Sequence, residues 1–398
     1  MSGVTKHIFE RDIQDILKMW NEEIETIKPL LPKEYSKYDI IALLKEFYPF
    51  EWHSVEIKRS YYNTKDIYIR KRFGKSRFNM KKPEILLLNS IKFKEIMTTE
   101  YMQTYLNSFS EEKCILEREK LLKKRGHKIE KIKQKIDKAL AKTQQVTPSF
   151  IDQLIGLYER KNTSQKDRRY ILLELEKYYS DRIIKFFFKV NDTELNMQLR
   201  MQAFYHLQGF NYQPRLRKQQ YMQVHTENKK RKEYLKKIYA FETYVIPQNP
   251  NELEYRIANA KEQQIKEFDY FISHSSRDAE EVQHLIQFEN QQGKNIFCDW
   301  INDVDYLKRH LVCEATLKVI EKRLEQSKAM IFVSSSNSLN SVWCKYELNY
   351  FSELGRPIYC ISKESIQNNK FSVEEIKNTW FIEPNYKNLA LIEGQKLS

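Results

Sequence analysis

The chain has 398 residues, a mass of 48.3 kDa and a formal net charge of +14, which is room for two or three domains, and 41% hydrophobic residues exclude a disordered chain. Its eight glycines form no G-x-G and no Walker A pattern, which excludes the usual dinucleotide fingerprint and the P-loop. No run of about 18 uncharged apolar residues predicts a membrane span. The segment Met1 to Lys18 has no signal-peptide pattern. Cys114, Cys298, Cys313, Cys344 and Cys360 are odd in number and widely spaced. They suggest neither a disulfide framework nor a zinc site, so a reducing cytoplasm is expected.

From the N-terminus, Ile13, Ile16, Leu17, Trp20, Ile24 and Ile27 recur at three-and-four spacing and predict an amphipathic helix ended by Pro29 and Pro32. Asp39 to Phe47 predicts another. A basic segment follows, with Lys58-Arg59, Arg70-Lys71-Arg72, Lys75, Arg77, Lys81 and Lys82 interleaved with Tyr61, Tyr62, Tyr68, Phe73 and Phe78. Residues 111–145 place Ile115, Leu122, Ile129, Ile132, Ile136 and Leu140 near heptad spacing. They read as a helical arm or hairpin with a joint at Gly126, or less readily as a coiled-coil dimer. Residues 152–210 read as three helices with N-caps near Ser164 and Ser180, in the manner of HEAT-type repeats.

A second basic segment runs from Arg215-Leu216-Arg217-Lys218 to Lys229-Lys230-Arg231-Lys232 and Lys236-Lys237, and includes Tyr221 and Tyr234. Cations neutralise phosphates and aromatic faces stack on unpaired bases. Nucleic acid is therefore one partner class for this region. An acidic protein, or a merely solvated basic face, is the other reading. Pro247-Gln248-Asn249-Pro250-Asn251 breaks the chain. We expect a basic, mostly helical region at 1–250, a linker helix at 251–266 and a distinct C-terminal domain at 267–398. Charge supports the division: residues 1–266 carry a net +18 and residues 267–398 a net −4.

In the C-terminal part, strands alternate with helices. Strands are predicted at Asp269–Ser273, Asn295–Asp299, Ala329–Val333 and Pro357–Ile361, with a fifth at Trp380-Phe381-Ile382. Helices are predicted at Ala279–Gln291, Leu307–Gln326 and from Asn340 or Ser341 onward, with Gly293 and Gly355 ending the first and third. The alternation predicts an open parallel sheet covered on both faces. Ligands of such sheets sit beyond the carboxyl ends of the strands. The turn His274-Ser275-Ser276, the acidic loop from Asp299, the turn Ser334-Ser335-Ser336 and the helix carrying Trp343 and Glu347 gather at that edge.

Phe268-Asp-Tyr-Phe-Ile-Ser-His-Ser-Ser-Arg-Asp278 and Ser341-Val-Trp-Cys-Lys-Tyr-Glu-Leu348 fall at the right places in this order. On them, residues 268 to about 385 resemble a Toll/interleukin-1 receptor (TIR) domain. The resemblance implies a flavodoxin-like α/β fold preceded by the helical region. It further implies an enzyme that cleaves NAD at the nicotinamide–ribose bond, with Glu347 as the catalytic carboxylate. Substrate contacts are expected from His274, Ser275, Asp299, Trp300, Ser335 and Trp343, with no metal and no cofactor beyond NAD as substrate.

Nicotinamide leaves NAD as a neutral molecule, so no general acid is needed. A carboxylate beside C1′ stabilises the oxocarbenium character that develops. The loop from Asp299-Trp300 corresponds to the family's BB loop, but its glycine is missing here. Plain structural readings also stand: Trp343 as core packing, Glu347 as a surface carboxylate, His274 as a turn hydrogen-bonder, Cys344 as a small buried hydrophobe and the serine turn as a helix cap. Self-association through the TIR domain, a place in bacterial anti-phage defence and activation through the basic region are further expectations. A non-catalytic TIR scaffold and an enzyme making cyclic ADP-ribose are the other two functional readings.

Overall fold

The structure, a computed structural model, describes residues 4–376; the expected strand at Trp380–Ile382 lies outside them. Contacts divide the chain into two compact units: residues up to Ile136 with Asn211–Gln213, and Asp137–Phe210 with the chain from Pro214 onward. The composition break at 251–266 falls inside the second unit. Composition registers where charge changes sign, and it is blind to which helices pack together.

The first unit is helical: α1 (Val4–Ile27), α2 (Lys37–Phe47), α3 (Pro49–Phe73), α4 (Pro83–Leu87), α5 (Ile91–Ile96), α6 (Thr99–Ser108) and α7 (Glu111–Leu140), whose last turn belongs to the second unit. The apolar stripe of α1 becomes core, with Trp20, Ile24 and Ile27 buried beside Ile40, Leu44, Phe47 and Trp52. The rings of Trp20 and Trp52 lie 5.8 Å apart. A capping box starts α2, where the Ser36 N–H donates to Asp39 Oδ2 at 2.8 Å. The arm α7 continues unbroken through Gly126. Arg125 anchors it, donating from Nε to the Phe47 carbonyl at 2.8 Å and from Nη2 to Glu51 Oε1 at 2.6 Å.

The second unit begins with α8 (Phe150–Glu159), α9 (Gln165–Glu176), α10 (Asp181–Thr193), α11 (Met197–Gly209), α12 (Lys229–Tyr234), α13 (Pro250–Asn259) and α14 (Lys261–Gln264). Ser164 caps α9, accepting from the Asp167 N–H at 3.1 Å. Then follow β1 (Phe268–Ser273), α15 (Ala279–Gln291), β2 (Ile296–Phe297), α16 (Asp299–Asn302), α17 (Glu314–Glu325), β3 (Ser327–Ser334), α18 (Ser336–Leu339), α19 (Val342–Glu353), β4 (Ile358–Ser362), α20 (Lys363–Gln367) and β5 (Glu374–Glu375). Gly293 ends α15 at φ 78°, a left-handed turn that suits glycine. The sheet order is β2-β1-β3-β4-β5. The first four strands are parallel, and β5 is antiparallel to β4. This is the flavodoxin-like order, with the switch point between β1 and β3. One core face holds Phe268, Phe271, Phe297, Met330, Phe332, Leu348 and Phe351. The other holds Ile272, Val282, Leu285, Ile286, Ile331 and Val333.

Helices α8 to α14 belong to the same unit as the sheet. Gln144 lies against the outer edge of β2: its amide oxygen accepts from the Ile296 N–H at 2.9 Å, and its Nε2 donates to the Ile296 carbonyl. Tyr170 of α9 shares a core with Leu253 and Ile257 of α13 and with Tyr306 and Val319. Beside that core five ionisable side chains are gathered. Glu174 of α9 pairs with Lys177 at 2.8 Å and with Lys266. Asp303 pairs with Arg323 of α17 at 2.8 Å and with Lys177 at 3.6 Å. Gln263 links the two pairs, donating to Glu174 at 2.8 Å and accepting from Arg323 at 2.8 Å.

Glu174, Lys266, Asp303 and Arg323 are all buried. Burial opposes the charge of both carboxylates, but the surrounding cations outweigh it and hold both below the ordinary carboxylate range. Breaking such a pair strands a charge away from water. Glu174→Ala is expected to destabilise the protein by about 3–5 kcal/mol, read as a fall in the urea midpoint. Glu233→Ala, which removes the exposed partner of Lys237, should cost less than about 1 kcal/mol.

Candidate active site

The residues singled out by sequence come from four points at the carboxyl edge of the sheet. β1 ends in Ser273 and leads into His274 and Ser275. β2 leads into Asp299 and Trp300, the first residues of α16. β3 leads into Ser335, the N-cap of α18. Helix α19 carries Trp343 and Glu347.

Ser341 starts α19, its side chain accepting from the Cys344 N–H. Cys344, Leu348 and Phe351 lie at three-and-four spacing and enter the core beneath the sheet. Glu347 follows Cys344 by three residues, so the same stripe carries a carboxylate to the end of β1. There the Ser273 hydroxyl, itself buried, donates to Glu347 Oε2 at 2.6 Å. The other oxygen, Oε1, has no hydrogen-bond partner among the described residues. Burial pushes the Glu347 carboxyl up to about 8; the Ser273 bond opposes this and the Asp299 charge adds to it. A carboxyl poised this way changes charge when a cation arrives beside it.

His274 and Trp300 form the neighbouring wall. The Trp300 indole N–H donates to His274 Nε2 at 3.0 Å, and His274 Nδ1 lies 3.2 Å from the Ile272 carbonyl. An indole can only donate, so Nε2 holds the lone pair and the proton sits on Nδ1. The ring is thereby fixed in one tautomer and one orientation. Asp299 is exposed at the mouth of this corner. Atoms of His274, Cys298 and Asp299 able to ligate a metal lie within 4.8 Å of one another, the one such trio among the described residues. Both nitrogens of His274 are already engaged, and burial pushes the Cys298 thiol well up. The trio is a hydrogen-bonded corner and poorly suited to hold a cation. Cys344 is likewise a buried thiol, pushed up to about 12 by burial and the nearby Glu347.

The remaining residues lie differently. Ser335 is buried, and its hydroxyl donates to Asp278 Oδ2 at 2.6 Å while its oxygen caps α18, accepting from the Ser338 N–H. Asp278 also accepts from Asn337 at 2.9 Å and Lys363 at 3.0 Å, which hold it below the usual carboxylate range despite its burial. This lock ties the turns after β1, β3 and β4 together. It leaves Ser335 a structural task. Ser275 caps the turn at Ser276–Asp278. Trp343 is half-buried and packs with Val342 against Leu317 and Tyr346.

Sequence reasoning missed Ser273 and Asp278. Ser273 passes in the sequence as the last residue of a strand. Asp278 has the position of an ordinary N-cap of α15, although its carboxylate makes no cap bond there.

A family profile described as "TIR domain" matches residues 271–379. A protein of Cytobacillus dafuensis, "Putative cyclic ADP-D-ribose synthase TIR2", is 33% identical over 91% of this chain and 92% of its own length. "Probable 3' cyclic ADP-D-ribose synthase ThsB'" of Bacillus cereus (strain MSX-D12) is 32% identical over 23% of this chain and 48% of its own. Toll-like receptor 2 of Homo sapiens is 32% identical over 21% of this chain and 10% of its own. No solved structure gives a significant match.

Because the Glu347 carboxyl is raised in the folded state, the folded protein binds the extra proton between about 4.5 and about 8. Its contribution to stability is present below that window and is lost as pH rises through it. Glu347→Gln keeps the shape and cannot ionise. Its melting temperature should match wild type at pH 5 and exceed it at pH 8.5, as read by circular dichroism.

Proposed function

The chain belongs to the TIR-domain family, and from that membership we propose that it cleaves NAD⁺ at the nicotinamide–ribose bond and closes the ADP-ribosyl group left behind into a cyclic product. The observation that carries the reading is the Glu347 carboxylate, half-buried at the carboxyl edge of the sheet with one oxygen held by Ser273 and the other unbonded. The full-length likeness to a protein named as a cyclic ADP-ribose synthase favours cyclisation over simple hydrolysis.

In this mechanism NAD⁺ lies across the switch point with its C1′ near Glu347. The arriving pyridinium cation favours the ionised form of Glu347, so binding and deprotonation are coupled. The C1′–N bond then breaks, and its electron pair leaves with nicotinamide, which is neutral. Positive charge moves onto C1′ and the ring oxygen, and the carboxylate stabilises it in a site of low dielectric. A nucleophilic oxygen or nitrogen from the adenosine end of the same molecule forms the new bond to C1′, and its proton passes to solvent. Water in that place would give the hydrolysed product instead. Ser273 is a positioning residue that fixes the carboxylate, and the His274–Trp300 pair forms a rigid wall against which the substrate is held. Assembly of several copies and a role in defence belong to the same proposal.

A scaffold without catalysis would not require a carboxyl group in an apolar helix stripe. The test is nicotinamide release with the products identified by mass spectrometry. Glu347→Ala should lose at least about a hundredfold in kcat, the scale of removing an electrostatic stabiliser. For wild type, kcat/KM should rise about tenfold per pH unit up to about 8 and then level, because the ionised carboxylate acts. Asp299→Asn should move that limb to lower pH, and Ser273→Ala to higher pH. A limb that moves in neither variant, or equal activity without Glu347, defeats the reading. A linear ADP-ribose product alone would leave cleavage standing and refute cyclisation.

A further inference from the structure

The first basic segment forms a built surface at the end of α3. Arg70, Lys71, Arg72, Lys75, Arg77, Lys81 and Lys82 all reach solvent. Among the described residues, no carboxylate forms an ion pair with any of them. The one acid in the stretch, Asp66, is turned inward. Its Oδ1 accepts from the N–H groups of Arg77 at 2.7 Å and Phe78 at 3.0 Å, and its Oδ2 accepts from the N–H of Asn79 at 2.7 Å. Asp66 is thus spent on folding the 74–79 loop back over the helix end. Gly74 makes that reversal possible by ending α3 at φ 76°. Arg70 bonds the Ser76 hydroxyl at 2.8 Å and 3.1 Å, which ties the loop to the helix a second time.

Between the cations stand large side chains with no core to enter. Ile67, Tyr68 and Phe73 are 69%, 62% and 61% exposed. Arg72 lies over the Phe73 ring at 5.3 Å and donates to the Tyr68 hydroxyl at 3.3 Å. Two exposed aromatic rings are therefore linked through one guanidinium on the last turns of α3, beside a loop pinned by a buried carboxylate. The second basic segment differs. Glu227 and Glu233 interrupt it, and Glu233 pairs with Lys237 at 2.7 Å.

We propose that this tip, centred on Tyr68, Arg72 and Phe73, binds single-stranded nucleic acid. Unpaired cations take the phosphates, and the exposed rings take unpaired bases by stacking. An acidic protein would use the cations but gain little from the rings, and a duplex hides its base faces. The inference is independent of the NAD reading, since it concerns the first unit alone.

The test uses the full chain and a labelled twenty-nucleotide strand of mixed sequence, as RNA, as DNA and as a duplex, followed by fluorescence anisotropy over a range of salt. The single strands should bind, and a preference between RNA and DNA would tell which carries the natural contact. The triple variant Lys71→Ala/Arg72→Ala/Lys75→Ala should bind at least tenfold more weakly. The slope of log affinity against log salt should flatten by about 2, at about 0.7 for each lost phosphate contact. Tyr68→Ala/Phe73→Ala should weaken single strands at least tenfold while leaving duplex binding unchanged. Lys229→Ala/Lys230→Ala should bind as wild type. All substituted side chains are exposed, so melting curves should coincide with wild type. The proposal is overturned if the chain binds no strand at low salt, or if the triple variant binds as tightly as wild type. It is equally overturned if the loss follows the Lys229/Lys230 variant. Insensitivity to the aromatic variant, with polyglutamate displacing the strand, would assign the surface to an acidic protein instead.

Discussion

A cluster of charges removed from water sets the terms for the C-terminal half of this protein. Glu174 and Asp303 cannot be buried singly, nor can Lys266 and Arg323; each is tolerable because the others and the half-buried Lys177 are there. The cluster joins helix α9, the segment that leads into β1, the loop after β2 and helix α17. Asp303 sits four residues beyond Asp299, so the loop that carries Asp299 and Trp300 is fixed from behind by charges on a helix far upstream in sequence. The wall formed by His274 and Trp300 is held on one side by the sheet and on the other by this network. Arrangement at the site therefore depends on residues that no motif marks as functional.

Much of the fold was legible in the sequence because local signals agreed with one another. Short apolar runs alternated with amphipathic helices, and Gly293 and Ser341 marked where helices stop and start. The site was legible in part. Glu347 is marked through the family resemblance of the Ser341–Leu348 segment, and periodicity alone leaves it a surface carboxylate. The rest was hidden for a physical reason. Ser273 becomes a partner of Glu347 only when β1 and α19 meet, 74 residues apart in sequence. Ser335 was grouped with the substrate contacts on its position, yet its hydroxyl is used by Asp278. The packing of α8 to α14 onto the sheet leaves no periodic trace, since a helix stripe shows that a face is buried but not what buries it.

The basic character of the chain separates from its chemistry in the same way. The sheet domain is slightly acidic, and the half-buried Glu347 carboxyl stands at the carboxyl edge of its sheet. The surplus of cations belongs elsewhere, and structure divides even that surplus. Many lysines and arginines are paired along helix faces, as Lys6 with Glu10 and Lys120 with Glu117. Those at the end of α3 are not. A net charge therefore says little until the paired cations are set apart from the bare ones.

The side chain of Gln144 has a consequence for how the sheet domain relates to the helices before it. It imitates one residue of a neighbouring strand, offering β2 the donor and the acceptor that a sixth strand would offer. A fragment beginning at the charge break would present β2 with its pairing groups bare, and with apolar faces of α17 and the loop before it uncovered. Such an edge invites a second chain to add itself. The sheet domain is thus a module by topology but not by cohesion. Its boundary in charge and its boundary in packing run through different residues.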